Sequence, residues 1–189
     1  ERECQRILDT AEQMTRYTKQ AARIRKLTGD KSERQNFTLA SMIAELIETN
    51  SQLSSDVDVS VSVPDDIVIE ASPMFDEALN ELITNAIRHN DSNAPAIEIR
   101  ANAEMGPHHL VEIQIADNGT GIPPSEIKAL QDGKEDQLLH LSGMGLWFVE
   151  WAIRHSDGEI SFEYNEMGGS TVCIRIPKSP RMLISTFVR

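Results

Sequence analysis

Near the start of the chain, apolar residues recur at three- and four-residue steps: Cys4, Ile7, Leu8, Ala11, Met14, Tyr17, Ala21, Ile24 and Leu27. Charged residues fill the gaps, and residues 3–28 contain no glycine or proline. That period puts the apolar side chains on one stripe of a long amphipathic helix with a coiled-coil-like seam. Gly29 ends it. The stretch FTLASMIAELIETN predicts a second, shorter helix with Thr38 as its N-cap. The period then falls to two. Val57, Val59, Val61 and Val63 alternate with polar residues up to Pro64, which predicts a strand, and IVIEA has the same character. Helical spacing returns with Phe75, Leu79, Leu82, Ile83, Ala86 and Ile87. Two further alternating strands, AIEIRANA and LVEIQIAD, are separated by a turn around Gly106 and Pro107.

Residues 118–145 are rich in glycine, proline and charge and read mostly as loop. LWFVEWAIRHSDG predicts a helix stopped by Gly158, and EISFEYNEMGGSTVCIRIP a hairpin turning at Gly168 and Gly169. The order is two helices followed by an α+β domain of about five strands and three helices, the second helix counted with it. Boundaries fall at 1–30 for the first helix, 37–178 for the α+β domain and 179–189 for a C-terminal tail.

A chain of 189 residues that is 40% apolar is long enough to bury one core. No run approaches the roughly 18 apolar residues of a membrane span, and no signal peptide is visible. The expectation is therefore a cytoplasmic fragment with no membrane contact of its own, cut from a longer protein. Cys4 and Cys173 are too few and too far apart for a disulfide framework or a metal knuckle. A net charge of −12 leaves no basic stripe to release counterions, so nucleic acid is not an expected partner.

Three places carry candidate chemistry. On ELITNAIRHN, the residues Glu77, Glu81, Asn85 and His89 are four apart and fall on one helix face opposite the apolar one, with Arg88 alongside. Such a stripe can be a plain solvated face. Alternatively, Asn85 offers a neutral amide oxygen suited to a Mg²⁺ ion that keeps its waters and phosphates, with Arg88 and His89 facing the same anion. In VEIQIADNGTGIP, Asp117 follows Val111, Ile113 and Ile115 in the inward phase of a strand. A carboxylate there needs hydrogen-bond donors, from a turn that it caps or from an exocyclic amine such as that of adenine. Gly119 and Gly121 leave room for a flat ligand. In SGMGLW, Gly143 and Gly145 expose backbone N–H groups at a helix start, where an anion is favoured, although a plain loop-to-helix junction reads the same way. No P-loop sequence is present, and no GxGxxG follows a strand.

ExxxNAxxH on a helix, DxGxG after a strand and GxGL opening a helix together resemble the Bergerat ATP-binding fold of the GHKL group, which includes DNA gyrase, MutL and the histidine kinases. The match covers roughly residues 37–178. The short lid and the closing SDGEISFEYNEMGGSTVCIRIP look specifically like the catalytic domain of a sensor histidine kinase. The resemblance implies a two-layer α/β sandwich that binds ATP and Mg²⁺. Asn85 would be the metal ligand, with Arg88 and His89 near the phosphates. Asp117 would accept from the adenine amino group, while Gly119, Gly121 and Ile122 shape the base pocket. The amides of Gly143, Met144, Gly145 and Leu146 would hold phosphate oxygens, and the Ser170 hydroxyl would support the adenine end. Glu81 stands where many histidine kinases have asparagine, and could polarise a water or another nucleophile.

By the same resemblance, the helix Cys4–Leu27 is the second helix of a dimerisation hairpin. It implies a homodimer, a response-regulator receiver as downstream partner, and an acceptor histidine upstream of Glu1. The sequence departs from the pattern in lacking a phosphoacceptor helix. His108 and His109 fall in a turn, His140 in the lid and His155 after the third motif. Leu141 replaces a common glycine, and the lid lacks the usual phenylalanine motif. A non-catalytic nucleotide-sensing pseudokinase and an anti-sigma-type serine kinase are the alternatives. A gyrase- or MutL-like ATPase needs a transducer domain that this length cannot hold.

Overall fold

The computed structural model describes residues 34–50, 56–103, 109–131 and 143–179, together with Thr10, Ala11, Met14, Thr15, Thr18 and Ala22. The chain divides into two units, Glu1–Glu33 and Arg34–Arg189. In the first, the described residues are helical. The Thr15 and Thr18 hydroxyls donate to the carbonyls of Ala11 and Met14, each at 2.8 Å. The rest of the expected helix, and with it the seam, lies outside the described residues, as does the expected tail beyond Ser179.

The second unit is built on a five-stranded sheet in the order β2-β4-β5-β7-β6. Its strands are β2 (Asp58–Ser62), β4 (Ala96–Ala103), β5 (Leu110–Asp117), β6 (Glu159–Tyr164) and β7 (Ser170–Pro177). β2 runs parallel to β4, and the remaining pairs are antiparallel. Alternation fixes which face is buried. Ile97, Ile99, Val111, Ile113, Ile115, Val172, Ile174 and Ile176 all point to one side and are buried. The other side carries polar pairs such as Arg175 with Glu112, 2.9 Å apart. The buried side is covered by α2 (Phe75–Arg88) and α4 (Gly143–Arg154), which pack on each other and on β5 and β6 respectively. Phe75, Leu79, Ile83, Phe148, Val149 and Ile153 fill the interface. This two-layer α/β arrangement is the expected one. α1 (Leu39–Thr49) starts after Thr38, which holds the N-cap position but makes no side-chain capping bond.

Two elements depart from the expectation. β1 (Gln35–Thr38) pairs antiparallel with β3 (Val68–Ala71) in a separate two-stranded sheet. QNFT has one apolar residue in four, so no local pattern marks it. It is a strand because β3 pairs with it and Ser179, just after β7, holds both strands, donating from its N–H to the Val68 carbonyl and from its hydroxyl to Asn36. The second is α3 (Pro124–Gln131), inside the stretch that reads as loop. Proline is favoured at the first helical position, where its missing N–H costs nothing. Among the described residues no helix is long and apolar enough to cross a membrane.

The end of α4 is specified with some economy. Gly158 N–H donates to the Ile153 carbonyl and Asp157 N–H to that of Arg154, the bonding of a Schellman cap. The left-handed residue of the cap is Asp157, at φ +52°, rather than Gly158. Gly158 is required for a different reason: a Cβ there would lie 2.9 Å from the Arg175 carbonyl. The Asp157 carboxylate meets Arg34 at 2.6 Å. That hydrogen bond holds the acid below its ordinary value and raises the guanidinium. A depressed carboxyl contributes stability above its unfolded pKa and loses it as pH falls through the folded one. Asp157→Asn keeps the left-handed preference and removes the charge. It should therefore destabilise by no more than ~1 kcal/mol at pH 7, with the gap to wild type closing below about pH 4, as read by urea unfolding across pH.

Candidate functional site

At the C-terminal end of β5 the sheet's inward phase delivers a carboxylate. Asp117 is 9% exposed. Its Oδ1 accepts from the Gly119 N–H at 2.9 Å and its Oδ2 from the Ser170 hydroxyl at 2.8 Å. An ionised carboxylate has about four acceptor positions, so these two donors leave capacity for a further one. The group borders an open cleft of about 150 Å³, lined by Leu82, Asn85, Ala86, His89, Ile115, Asp117, Thr120, Gly121, Ile122, Pro123, Leu146, Ser170 and Val172. The walls are mostly apolar, with a small set of polar groups converging on them, the usual composition of a small-molecule site.

Of the residues singled out in the sequence, Asn85, His89, Asp117, Gly121, Ile122, Leu146 and Ser170 are brought together in this cleft. Asn85 is half-buried, and its side chain makes no hydrogen bond among the described residues. His89 is the C-cap of α2; its N–H donates to the Asn85 carbonyl at 3.0 Å, and the following N–H, of Asn90, donates to the Ile87 carbonyl at 3.2 Å. Arg88 is exposed and lies outside the lining. Gly121 has φ +77°, a conformation that favours glycine. α4 begins at Gly143, so the N–H groups of Gly143, Met144, Gly145 and Leu146 belong to the first turn, which a helix leaves without internal partners. Leu146 lines the cleft.

One expectation changes. Glu81 is not on a solvated stripe: it is 4% exposed. It packs against Gly145, where a Cβ would collide with the Glu81 carboxylate. The side of α2 that carries Glu81 is thus an interhelical surface, because α4 covers it. Gly119 is packed against both the end of α2 and the site carboxylate: a Cβ there would stand 2.8 Å from the His89 carbonyl, 2.9 Å from Asn90 Cα and 3.2 Å from Asp117 Oδ1.

Leu82, Ala86, Ile115 and Val172 also line the site, and in sequence they read only as core. Asn118 pins the loop after α2 to the end of β5. Its Oδ1 accepts from Asn90 Nδ2 at 2.9 Å and from the Ala96 N–H at 2.8 Å, while its Nδ2 donates to the Ala94 carbonyl at 2.9 Å. Nothing in the local pattern of DNGTG signals that role. Among the described residues, no cluster of three or more His, Cys, Asp or Glu side chains could hold a metal ion by itself. A cation here would have to be a Mg²⁺-like ion that takes one or two protein oxygens and completes its shell with phosphates and water. The Asn85 amide, facing the cleft without an internal partner, fits that demand.

Fold and cleft together define the class. Residues 70–180, more than half the chain, match the family described as histidine kinase-, DNA gyrase B- and HSP90-like ATPase, and the chain belongs to it. It is similar to sensor histidine kinase RcsC of Escherichia coli strain K12, 29% identical over 118 residues that make up 59% of this chain and 12% of that protein. It is also similar to sporulation kinase B of Bacillus subtilis strain 168, 26% identical over 148 residues, 77% of this chain and 34% of that protein. The chain therefore spans about a third or less of the curated relatives named here. Among solved structures, the ATP-binding domain of PrrB from Mycobacterium tuberculosis superposes with a TM-score of 0.60 at 23% identity, over 78% of this chain and 98% of that one. This likeness establishes the fold.

The tightest contact in the site lies behind the carboxylate. A Cβ on Gly169 would collide with the Asp117 carbonyl and with its Oδ1, and a backbone carbonyl cannot rotate away. Gly169→Ala should destabilise the domain by about 1–3 kcal/mol, measured as a lowered urea midpoint with an unchanged slope. A wild-type midpoint would mean that the hairpin turn moves freely over Asp117.

Proposed function

We propose that this chain is the catalytic portion of a sensor histidine kinase. It binds Mg²⁺-ATP and transfers the γ-phosphoryl to a histidine upstream of this domain. The observation that carries the reading is the buried, half-satisfied Asp117 carboxylate at the back of an apolar cleft. Such an acceptor selects a ligand with an N–H donor on a flat apolar body, which is the description of adenine. Ile115, Ile122 and Val172 would contact the ring. Ser170 holds the carboxylate so that its free lone pairs face the base.

The phosphates would run toward the start of α4, whose first-turn amides and dipole favour anions. Asn85 would offer its amide oxygen to Mg²⁺, with Arg88 and His89 supplying positive or donor groups at the cleft mouth. The ion would neutralise charge on the phosphates, and the protein's own part is positioning, as in other phosphoryl transfers. We assign Glu81 to polarising the incoming nucleophile: one turn before Asn85 and against Gly145, it already lies beside the turn that would hold the phosphates. Similarity to sensor kinases supports pairing of two chains through the N-terminal helix and onward transfer to a response-regulator receiver. A serine kinase of the anti-sigma type and a nucleotide-sensing pseudokinase draw no comparable support from the relatives.

Two substitutions test the assignment. Asp117→Asn turns a pure acceptor into a mixed donor and acceptor in a buried place. It should weaken ATP binding about tenfold or more; undiminished affinity would remove the base from this end of the cleft. Asn85→Ala should abolish the strengthening of ATP binding by Mg²⁺ while leaving metal-free binding close to wild type. If Mg²⁺ still tightened binding to the wild-type extent, the metal would lie elsewhere.

A further inference from the structure

The segment Asp117–Ile122 forms one side of the cleft, and two consecutive residues at the end of β6 hold its two ends. Asn165 Nδ2 donates to the Asp117 carbonyl at 2.9 Å, and also to the Ser170 carbonyl at 2.9 Å and the Thr171 hydroxyl at 3.3 Å. Its Oδ1 accepts from the N–H groups of Met167 at 3.0 Å and Gly169 at 3.2 Å. One amide thereby closes the β6–β7 turn and ties it to the backbone of the residue whose carboxylate faces the cleft. Its neighbour Tyr164 points the other way along the segment. The Tyr164 hydroxyl donates to the Ile122 carbonyl at 3.1 Å. Its ring covers Gly121, where a Cβ would stand 2.9 Å from ring carbon Cε1. Tyr164 is 60% exposed, so burial does not account for an aromatic residue at this place; the strap does.

We infer that Tyr164 and Asn165 act as a clamp that sets the geometry of the base pocket from outside it, as positioning residues that touch no ligand. The inference rests on the nucleotide reading of the cleft, but assigns work to two residues outside its lining. The two halves act on different features. Asn165 fixes the direction of the Asp117 carboxylate and hence recognition of an exocyclic amine. Tyr164 fixes the Gly121–Ile122 wall and hence the fit of any purine ring.

The test compares calorimetric binding of ATP and of ITP, whose base carries a carbonyl in place of the amine, by the 189-residue chain and two variants. Asn165→Asp keeps both acceptor bonds of the turn and loses the donor to the Asp117 carbonyl, together with those to the Ser170 carbonyl and the Thr171 hydroxyl. It should reduce the preference for ATP over ITP by about fivefold, the scale of one net hydrogen bond. Tyr164→Phe keeps the ring and loses the strap. It should weaken ATP and ITP alike, by about three- to fivefold on the same scale. A folded Asn165→Asp with the wild-type preference, or Tyr164→Phe with both affinities within about twofold of wild type, overturns the clamp while wild-type binding upholds the site. Wild type that binds neither nucleotide removes the nucleotide reading, and the clamp with it. Should Asn165→Asp fail to fold, Tyr164→Phe carries the test, since it removes one oxygen from an exposed ring.

Discussion

The burial of one carboxylate organises this domain. Asp117 ends a strand whose inward phase it shares with Val111, Ile113 and Ile115, and it stays there because the Gly119 N–H and the Ser170 hydroxyl donate to it. A charge in that place without donors would cost several kcal/mol. The surroundings therefore converge on it. Gly169 comes close enough that no side chain fits, and Asn165 ties the hairpin to the Asp117 backbone. Strand β7 delivers Ser170 through its register with β6 and β5. What remains is acceptor capacity aimed into an apolar cleft.

Helix α2 carries the second constraint. It faces the sheet with Leu79, Leu82 and Ile83 and meets α4 with Glu81, while its last turn brings Asn85 and His89 to the cleft. The periodicity of ELITNAIRHN separates these faces without difficulty, since three- and four-residue steps are the signature of a packed helix. What it could not reveal is that the Glu81 side is covered. That depends on Gly145, some sixty residues later in the chain, and long-range packing leaves no local trace. The acidic stripe and the glycine of SGMGLW are two halves of one contact.

The same division between local and distant causes runs through the rest. β4 and β5 occur at the residues where alternation places them, because sheet burial writes a period of two directly into the sequence. α2 and the β6–β7 hairpin are legible for similar reasons. β1 was not, since QNFT becomes a strand through its partner β3 and the bonds of Ser179. α3 was not, since its proline start and charged composition imitate a loop. In the site, Asn85, Asp117 and Gly121 stand out because their types are odd for their positions. Leu82, Ile115 and Val172 have the types of any core residue, and Tyr164 and Asn165 those of any turn. Gly119 is noticed easily, but nothing near it in the sequence shows that its missing Cβ makes room for the end of α2.

On this proposal the cleft between Asp117, Asn85 and the first turn of α4 holds a nucleotide through base and metal together. Calorimetric titration of the wild-type chain with ATP, with and without Mg²⁺, tests it most directly. Saturable one-to-one binding that Mg²⁺ tightens is the expected result. Absence of binding at millimolar ATP, or binding indifferent to Mg²⁺, would contradict it.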